Sequence, residues 1–327
     1  MLALVTGSTG FIGSHLCRAL LEAGYRVRAF HRQTSSLDLL RHLEVEHAIG
    51  DVAQPQTLSA ALAGVDVVFH AASKVDYWRG SDGMYAITVG GTRNVLQAAL
   101  NAGVQRVIYT SSVAALGVPS SQSSQPINEN HAWNYRPEWW RYGHAKHLAE
   151  RQVQSAVAQG LDAVIVNPSM VLGSGDIHRI SGEIVVQVAR GIVRFGIPGG
   201  MNAIHIDDVA RGQILALEHG RTGERYILGG ENDTFLHFIQ KTAEVVGRRP
   251  PTLIIPSWFL RPLASPLDLL CRFIPMPING DLLRFSSRHL YYDTTKALQE
   301  LGFVANYSVG EALQDAYDWY KNAGIIR

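Results

Sequence analysis

Cysteine is nearly absent. Cys17 and Cys271 are the only two in 327 residues, which excludes a disulfide framework and a thiolate metal cluster, and no metal site is expected. Cys17 falls inside an amphipathic helical pattern and reads as a core residue. Charge is sparse and balanced, at 17% charged residues and a formal net charge of +1. That balance gives no electrostatic reason to expect nucleic acid or an anionic membrane surface as a partner. No uninterrupted apolar run approaches the ~18 residues of a membrane span. The apolar start is too short for a leader peptide and reads as a first strand, so a cytoplasmic location is the expectation. Internal repeats and low-complexity tracts are also missing. What is left, with 46% apolar residues, is the composition of a globular enzyme of one large or two medium domains.

Glycine, by contrast, stands where it matters. Residues 2–6, Leu-Ala-Leu-Val-Thr, run as an apolar strand straight into Gly7, Gly10 and Gly13. A strand ending in such a turn, with a helix starting at once, aims free backbone N–H groups and the positive helix end at one spot. That spot suits a pyrophosphate. The glycines serve a tight turn, close backbone approach to the phosphate, and close packing of helix on strand. The spacing is G-x-x-G-x-x-G, and alone it is a weak signal. The unit around it is stronger. Phe11, Ile12, Leu16, Ala19 and Leu20 recur at helical spacing, Gly24 stops the helix, and residues 26–30 form a second strand. Strand, turn, helix and strand within about thirty residues is the size of a dinucleotide-binding unit.

The alternation continues. Strands are predicted over 45–49, 65–70, 106–111 and 163–167, with helices over 55–63, 81–101 and 142–159. This pattern is α/β: a doubly wound parallel Rossmann sheet over 1–172, with 205–230 returning to it. Ligands in such sheets bind beyond the carboxyl ends of the strands. Residues 173–327 read as a smaller, mostly helical substrate-binding domain, with helices near 180–194, 207–219, 234–247 and 308–323. The stretch 250–277, rich in proline, tryptophan and leucine, fits a surface lid, a membrane-touching patch or two packed helices. Packed helices are favoured, because Arg261, Asp268 and Arg272 interrupt the apolar run.

The sharpest pair is Tyr142 and Lys146, in Tyr-Gly-His-Ala-Lys. Four apart on a helix, they share a face, with Cβ atoms ~5–6 Å apart. A phenol titrates near pH ~10, and ionising it at neutrality needs on the order of 4 kcal/mol of differential stabilisation. An adjacent ammonium, together with the charge of an oxidised nicotinamide, supplies that scale of energy in a half-dry cleft. Alone, a Y-x-x-x-K spacing is common by chance. Ser111 and Ser112, at the ligand edge after the 106–111 strand, change the odds: a hydroxyl there can hold a carbonyl or alcohol oxygen while the tyrosine passes the proton. One serine serves to cap the turn, and Ser112 is assigned the chemical role.

Taken in order, the glycine run, Gly50-Asp51-Val52, His70-Ala71-Ala72, Thr110-Ser111-Ser112, Tyr142-x-x-x-Lys146, Asn167-Pro168-Ser169-Met170-Val171 and His205-Ile-Asp207-Asp208-Val209 form a specific series. In it the whole chain resembles an extended short-chain dehydrogenase/reductase of the NAD-dependent epimerase/dehydratase superfamily. Within that superfamily it is similar to dihydroflavonol-4-reductase-like and hopanoid-associated sugar-epimerase-like proteins. The resemblance implies roles. Thr9, Phe11 and Ile12 would line the pyrophosphate turn, and Asp51 and Val52 would meet the adenine. Ala71, Ala72 and Ser73 would flank the cofactor, Lys146 would also bond the nicotinamide ribose, and Pro168, Ser169, Met170 and Val171 would pack near the nicotinamide. His205, Asp207 and Asp208 would be scaffold between the domains, and a homodimer would form through the helices before Asn101 and around 142–159. Two positions depart from the family: Thr88 stands where asparagine is usual, and Ser174 where proline is common.

An NAD site of this design wants an acid ~20 residues past the glycines. The chain offers instead Phe30-His31-Arg32-Gln33-Thr34-Ser35, with no acid until Asp38, so Arg32 is assigned to a 2′-phosphate and NADP(H) is favoured over NAD(H). Tyr77, Trp78, Trp133, Trp139 and Trp140 cluster near the catalytic segments, as cleft-mouth aromatics for an apolar substrate or as core. The expected activity is hydride transfer between a nicotinamide and a ketone, aldehyde or alcohol on a moderately hydrophobic small molecule. The alternatives are a nucleotide-sugar epimerase with retained NAD(P), and a non-catalytic regulator that senses NADP.

Overall fold

The computed structural model describes residues 1–75, 82–120, 123–271 and 280–326. Seven parallel strands form the large sheet: β1 (Leu2–Thr6), β2 (Arg26–His31), β3 (Glu46–Ile49), β4 (Val67–His70), β5 (Arg106–Thr110), β6 (Ala163–Pro168) and β9 (Arg225–Leu228). Their order is β3-β2-β1-β4-β5-β6-β9. The order reverses between β1 and β4, which opens a crevice above Thr6 and His70, neighbours in the register. A three-stranded sheet, in order β10-β8-β7, joins β7 (Met170–Leu172), β8 (Gly200–His205) and β10 (Glu231–Thr234).

Strand periodicity divides the large sheet's side chains cleanly. Ala3 and Val5 of β1 join Val27, Phe69 and Ile108 on one face, against the helices Phe11–Glu22 and Ile206–His219. Leu2 and Leu4 join Val68, Val107 and Ile165 on the other, against Leu58–Leu62, Thr92–Ala102 and Arg141–Val157. Buried on both faces, these strands read as apolar runs rather than as alternation. Cys17 is part of the first face, and burial pushes its thiol up to about 12. A separate core forms where Glu183–Ala189, Phe235–Val245 and Val309–Asn322 cover the small sheet.

Two stretches differ from the sequence expectation. The helix expected over 81–101 is broken in character: a π-helical turn, Ala86–Gly91, sits between Asp82–Tyr85 and Thr92–Ala102. Such turns are frequent at functional sites. In 250–271 the packed-helix expectation holds for one face only. Leu260 and Ala264 pack with Leu283, but Trp258, Phe259, Leu263, Leu269 and Leu270 are exposed. Arg261 and Asp268 do not interrupt that outer face, because both turn aside onto 280–287. Arg261 donates to the Ser286 carbonyl and Ser287 hydroxyl, and Asp268 accepts from the Gly280 amide and pairs with Arg284. Arg272 lies outside the described residues.

Candidate active site

The glycine turn follows β1 directly. Gly7 adopts φ +70°, and a Cβ there would lie 2.8 Å from the Ala72 backbone. A Cβ on Gly13 would lie 2.1 Å from the Gly7 carbonyl oxygen, so no side chain fits between helix and turn. At Gly10 an added Cβ would meet only the Gly7 oxygen within 4 Å, at 3.2 Å, leaving its outer side open. Gly10 caps the Phe11–Glu22 helix without a side-chain hydrogen bond, so the first amides carry no side-chain cap. Thr9, Phe11 and Ile12 are half-buried around this turn. Three glycines therefore hold three different constraints, and together they leave a cradle of backbone donors.

Around the crevice the polar side chains are tied into chains of hydrogen bonds. His70, fully buried at the end of β4, lies 2.7 Å by Nδ1 from the Thr6 hydroxyl and 3.0 Å by Nε2 from the Thr92 hydroxyl. Thr92 donates to the Thr88 carbonyl at 2.6 Å, so it accepts from His70. Burial, helped by the Lys146 charge, pushes His70 down to about 3 and keeps it neutral. Thr88, on the π turn, accepts from the Lys74 amide at 3.3 Å and lies 3.2 Å from the Ser73 hydroxyl. The threonine thus ties the helix to the Ala71–Ala72–Ser73 loop in the asparagine's place. Ser174 donates its amide to Asp315 at 2.8 Å, a bond that the usual proline lacks.

The catalytic candidates converge at the end of β5. Gly143 lets the Arg141–Val157 helix press onto the 113–116 turn, since a Cβ would lie 2.8 Å from the Ala114 carbonyl oxygen. Tyr142 next to it is hydrogen-bonded to Ser112, which also caps that turn by accepting from the Ala114 amide at 3.2 Å. Burial pushes Tyr142 up to about 12, and the Ser112 bond pulls it back down. Lys146 is buried one turn on, and its ammonium donates to the Thr110 carbonyl at 2.8 Å, 5.2 Å from the Tyr109 ring centre. Burial pushes Lys146 down to about 7, opposed by the charge of Glu150. The Lys146 ammonium, expected to acidify the phenol, is engaged on the strand, and the group that lowers Tyr142 here is Ser112, which was expected to hold the substrate oxygen.

Glu150 is not among the site residues predicted from the sequence, yet it organises this corner. Its buried carboxylate accepts from Ser111 at 2.6 Å, from the Asn167 amide at 2.6 Å and from Arg225 at 3.1 Å. Asn167 also donates to the Ser112 carbonyl at 2.9 Å. The serines therefore divide their roles, Ser111 to the carboxylate and Ser112 to the phenol. Tyr142, Lys146 and Glu150 follow at i, i+4 and i+8 on one helix face, which is a readable signal. Arg225 comes from β9, 75 residues later, and had none.

The remaining candidates fall into place around this centre. Val52 is buried, and the Asp51 carboxylate accepts from the Ala53 amide at 2.9 Å. Arg32 is exposed at the end of β2. Pro168 ends β6, and Met170 and Val171 begin β7. Ser169 between them has a buried hydroxyl with no hydrogen-bond partner. That orphaned hydroxyl and the glycine cradle fit a dinucleotide. His205, Asp207 and Asp208 are engaged with His15, Arg18, Arg211, Asp315 and the Asn306 and Tyr307 amides. Trp140 is core, with its ring centre 4.9 Å from that of Phe285 and 6.1 Å from that of Trp133. Trp139 is exposed, with Arg136 over its ring at 4.6 Å. Tyr77 and Trp78 lie outside the described residues. No group of metal-binding side chains occurs among the described residues.

A family model for the NAD dependent epimerase/dehydratase family matches residues 3–229. A putative dihydroflavonol 4-reductase of Synechocystis is 36% identical, over 99% of this chain and 95% of its own. Sterol demethylase protein B of Methylococcus capsulatus is 34% identical over the full length of both. Among solved structures, that of gox2253 is 36% identical, with a TM-score of 0.87 and coverage of 100% of this chain and 99% of its own. The chain therefore belongs to the NAD dependent epimerase/dehydratase family, whose members carry out NAD(P)-dependent oxidoreduction on an extended short-chain dehydrogenase/reductase fold.

Proposed function

We propose that the protein is an NADP(H)-linked oxidoreductase that interconverts a ketone or aldehyde with an alcohol on a moderately hydrophobic small molecule. The observation that carries this reading is the Ser112–Tyr142 hydrogen bond, set beside Lys146 at the carboxyl edge of the sheet. A bound nicotinamide supplies or accepts the hydride. The chain's own part is proton chemistry. Ser112, which accepts from Ala114, has its O–H left to donate, to the phenol oxygen or to a substrate oxygen in its place. Tyr142 gives its proton to that oxygen in the reducing direction, and a phenol held high stays protonated for this task at neutral pH. In the oxidising direction it must lose the proton first, against the burial that raises it.

Three features support the finer points. Arg32 is exposed and has no carboxylate partner among the described residues, which suits a 2′-phosphate. The nearest acid, Asp38, is taken by Ser36 at 2.7 Å and Arg41 at 2.7 Å. In β8, where a sugar-diphosphate enzyme would want a cation, residues 200–204 carry none, which favours the ketone reading over the nucleotide-sugar epimerase. The relatives named as reductase and sterol demethylase agree with an apolar substrate. A homodimer would use the cavity of about 350 Å³ between the π turn and the Arg141–Val157 helix, lined by Tyr85, Val89, Arg93, Leu148 and Gln152.

A screen of lipophilic ketones and aldehydes, followed by NADPH absorbance, tests the reading. Consumption that depends on both added NADPH and substrate is expected. Turnover of a nucleotide sugar with retained coenzyme and none added would overturn it in favour of the epimerase, and coenzyme binding without any turnover would favour the NADP sensor.

A further inference from the structure

The helical run from Ser257 to Cys271 is amphipathic with its apolar face outward. Three successive helical segments make it: Ser257–Leu260, Arg261–Leu263 and Ala264–Cys271. At 3.6 residues per turn, Leu260, Ala264 and Leu267 share the inward face, where they pack with Leu283. Arg261 and Asp268 fall on one flank, where the 280–287 segment takes them up. The opposite arc carries Trp258, Phe259, Leu269 and Leu270, exposed by 74%, 54%, 57% and 42%. The strand-like stretch before it adds Leu253, exposed by 73%, and bonds to the 192–196 loop, where Ile192 and Phe195 are also exposed. Contiguous apolar surface of this kind marks an interaction site.

Charge around the patch says what covers it. Arg190, Arg194, Arg248 and Arg249 are exposed along the joined 189–196 and 248–255 stretches, and none has a carboxylate partner among the described residues. The acid in the run, Asp268, is neutralised by Arg284. Aromatic and leucine side chains on one side, with nearby arginines that backbone carbonyls but no carboxylates engage, is the composition of a segment that lies in a bilayer interface. The overall charge of +1 conceals this local excess.

We propose that residues 253–271, with the 192–195 loop, form a docking surface for a lipid bilayer carrying anionic headgroups. The inward side of the run packs toward the corner that holds Tyr142. Leu260 and Ala264 pack on Leu283, Phe285 of the same short helix lies 4.9 Å from Trp140 and 5.7 Å from Tyr135, and Tyr142 packs against that aromatic cluster. No helix among the described residues is long and apolar enough to cross a membrane, so the contact is peripheral.

The test is cosedimentation of the full chain with vesicles of phosphatidylcholine alone and of phosphatidylcholine mixed with phosphatidylglycerol. It needs no turnover, so its outcome is independent of the redox reading. Binding to the anionic vesicles is expected, weakened by added salt and by roughly fivefold for each of Arg248→Ala and Arg249→Ala. The double variant Trp258→Ser/Phe259→Ser is expected to bind at least about tenfold more weakly. Failure of the wild type to bind anionic vesicles would overturn the proposal. So would unchanged binding by the double variant, or a self-association in the wild type that the double variant abolishes, which would make a second copy the occupant.

Discussion

At the carboxyl edge of the large sheet, buried polar side chains face one another: His70 between Thr6 and Thr92, and Glu150 among Ser111, Asn167 and Arg225. Along 257–271 the polar side chains are drawn to one flank, and the outward arc is left apolar. The first arrangement fixes positions in a place shielded from water, where an unpaired polar group is costly. The second leaves little polar material to face water on that arc. Interior polarity here serves geometry, and surface apolarity serves contact.

The difference has measurable consequences, the largest in the interior. Glu150→Ala leaves the half-buried Arg225 without its carboxylate, the Ser111 hydroxyl without its acceptor, and the Asn167 amide with only the Ser112 carbonyl. A loss of about 3–5 kcal/mol is expected in denaturant melts, the scale of a broken buried pair. Its conservative variant Glu150→Gln removes the charge that supports the Lys146 ammonium, so any rate that needs that proton should fall off at lower pH than in the wild type. The next effect is acid lability. Below pH ~6.5 the unfolded chain takes a proton on His70 that the folded chain refuses until about pH 3, so stability falls as pH drops through that window. The contribution reaches about 3 kcal/mol by pH 4. Thermal melts at pH 7 and pH 4 should show a smaller drop for His70→Gln than for the wild type.

Smaller effects are expected outside the interior. Arg32→Ala should weaken NADPH binding about tenfold in a fluorescence titration and leave NADH unchanged. Trp258→Ser should move stability by no more than ~0.5 kcal/mol, as a surface change does. A cost of several kcal/mol there would mean that the outer arc is packed, and the contrast between the two regions would fail.

What was legible in the sequence follows from how local each signal is. The glycine turn, its helix and the Tyr142–Lys146 pair are set by spacings of three or four residues, and the structure places them at one edge. The parallel sheet was legible from alternating strand and helix patterns. The short strands β7, β8 and β10 were not: β7 and β8 are three and six residues buried almost throughout and so show no alternation, and β10, Glu-Asn-Asp-Thr, has no apolar residue to mark it. Arg225 is brought to Glu150 by a pairing of β6 with β9 that no local pattern encodes. In 257–271 the helical period was present, but which face turns inward depends on a partner more than ten residues further on. Trp140 looked like a cleft aromatic for the same reason: its core partner, Phe285, is 145 positions away.

The most direct test is to compare Tyr142→Phe with the wild type in two assays, NADPH binding by fluorescence and NADPH-dependent reduction of a lipophilic ketone. Phenylalanine keeps the ring among Trp133, Trp140 and Phe285 and removes only the hydroxyl bonded to Ser112. The expected result is undiminished coenzyme binding with turnover reduced by roughly 10²–10⁴-fold, the range for loss of a positioned proton donor. Turnover within a few fold of the wild type would contradict the role of that hydroxyl and the function built on it.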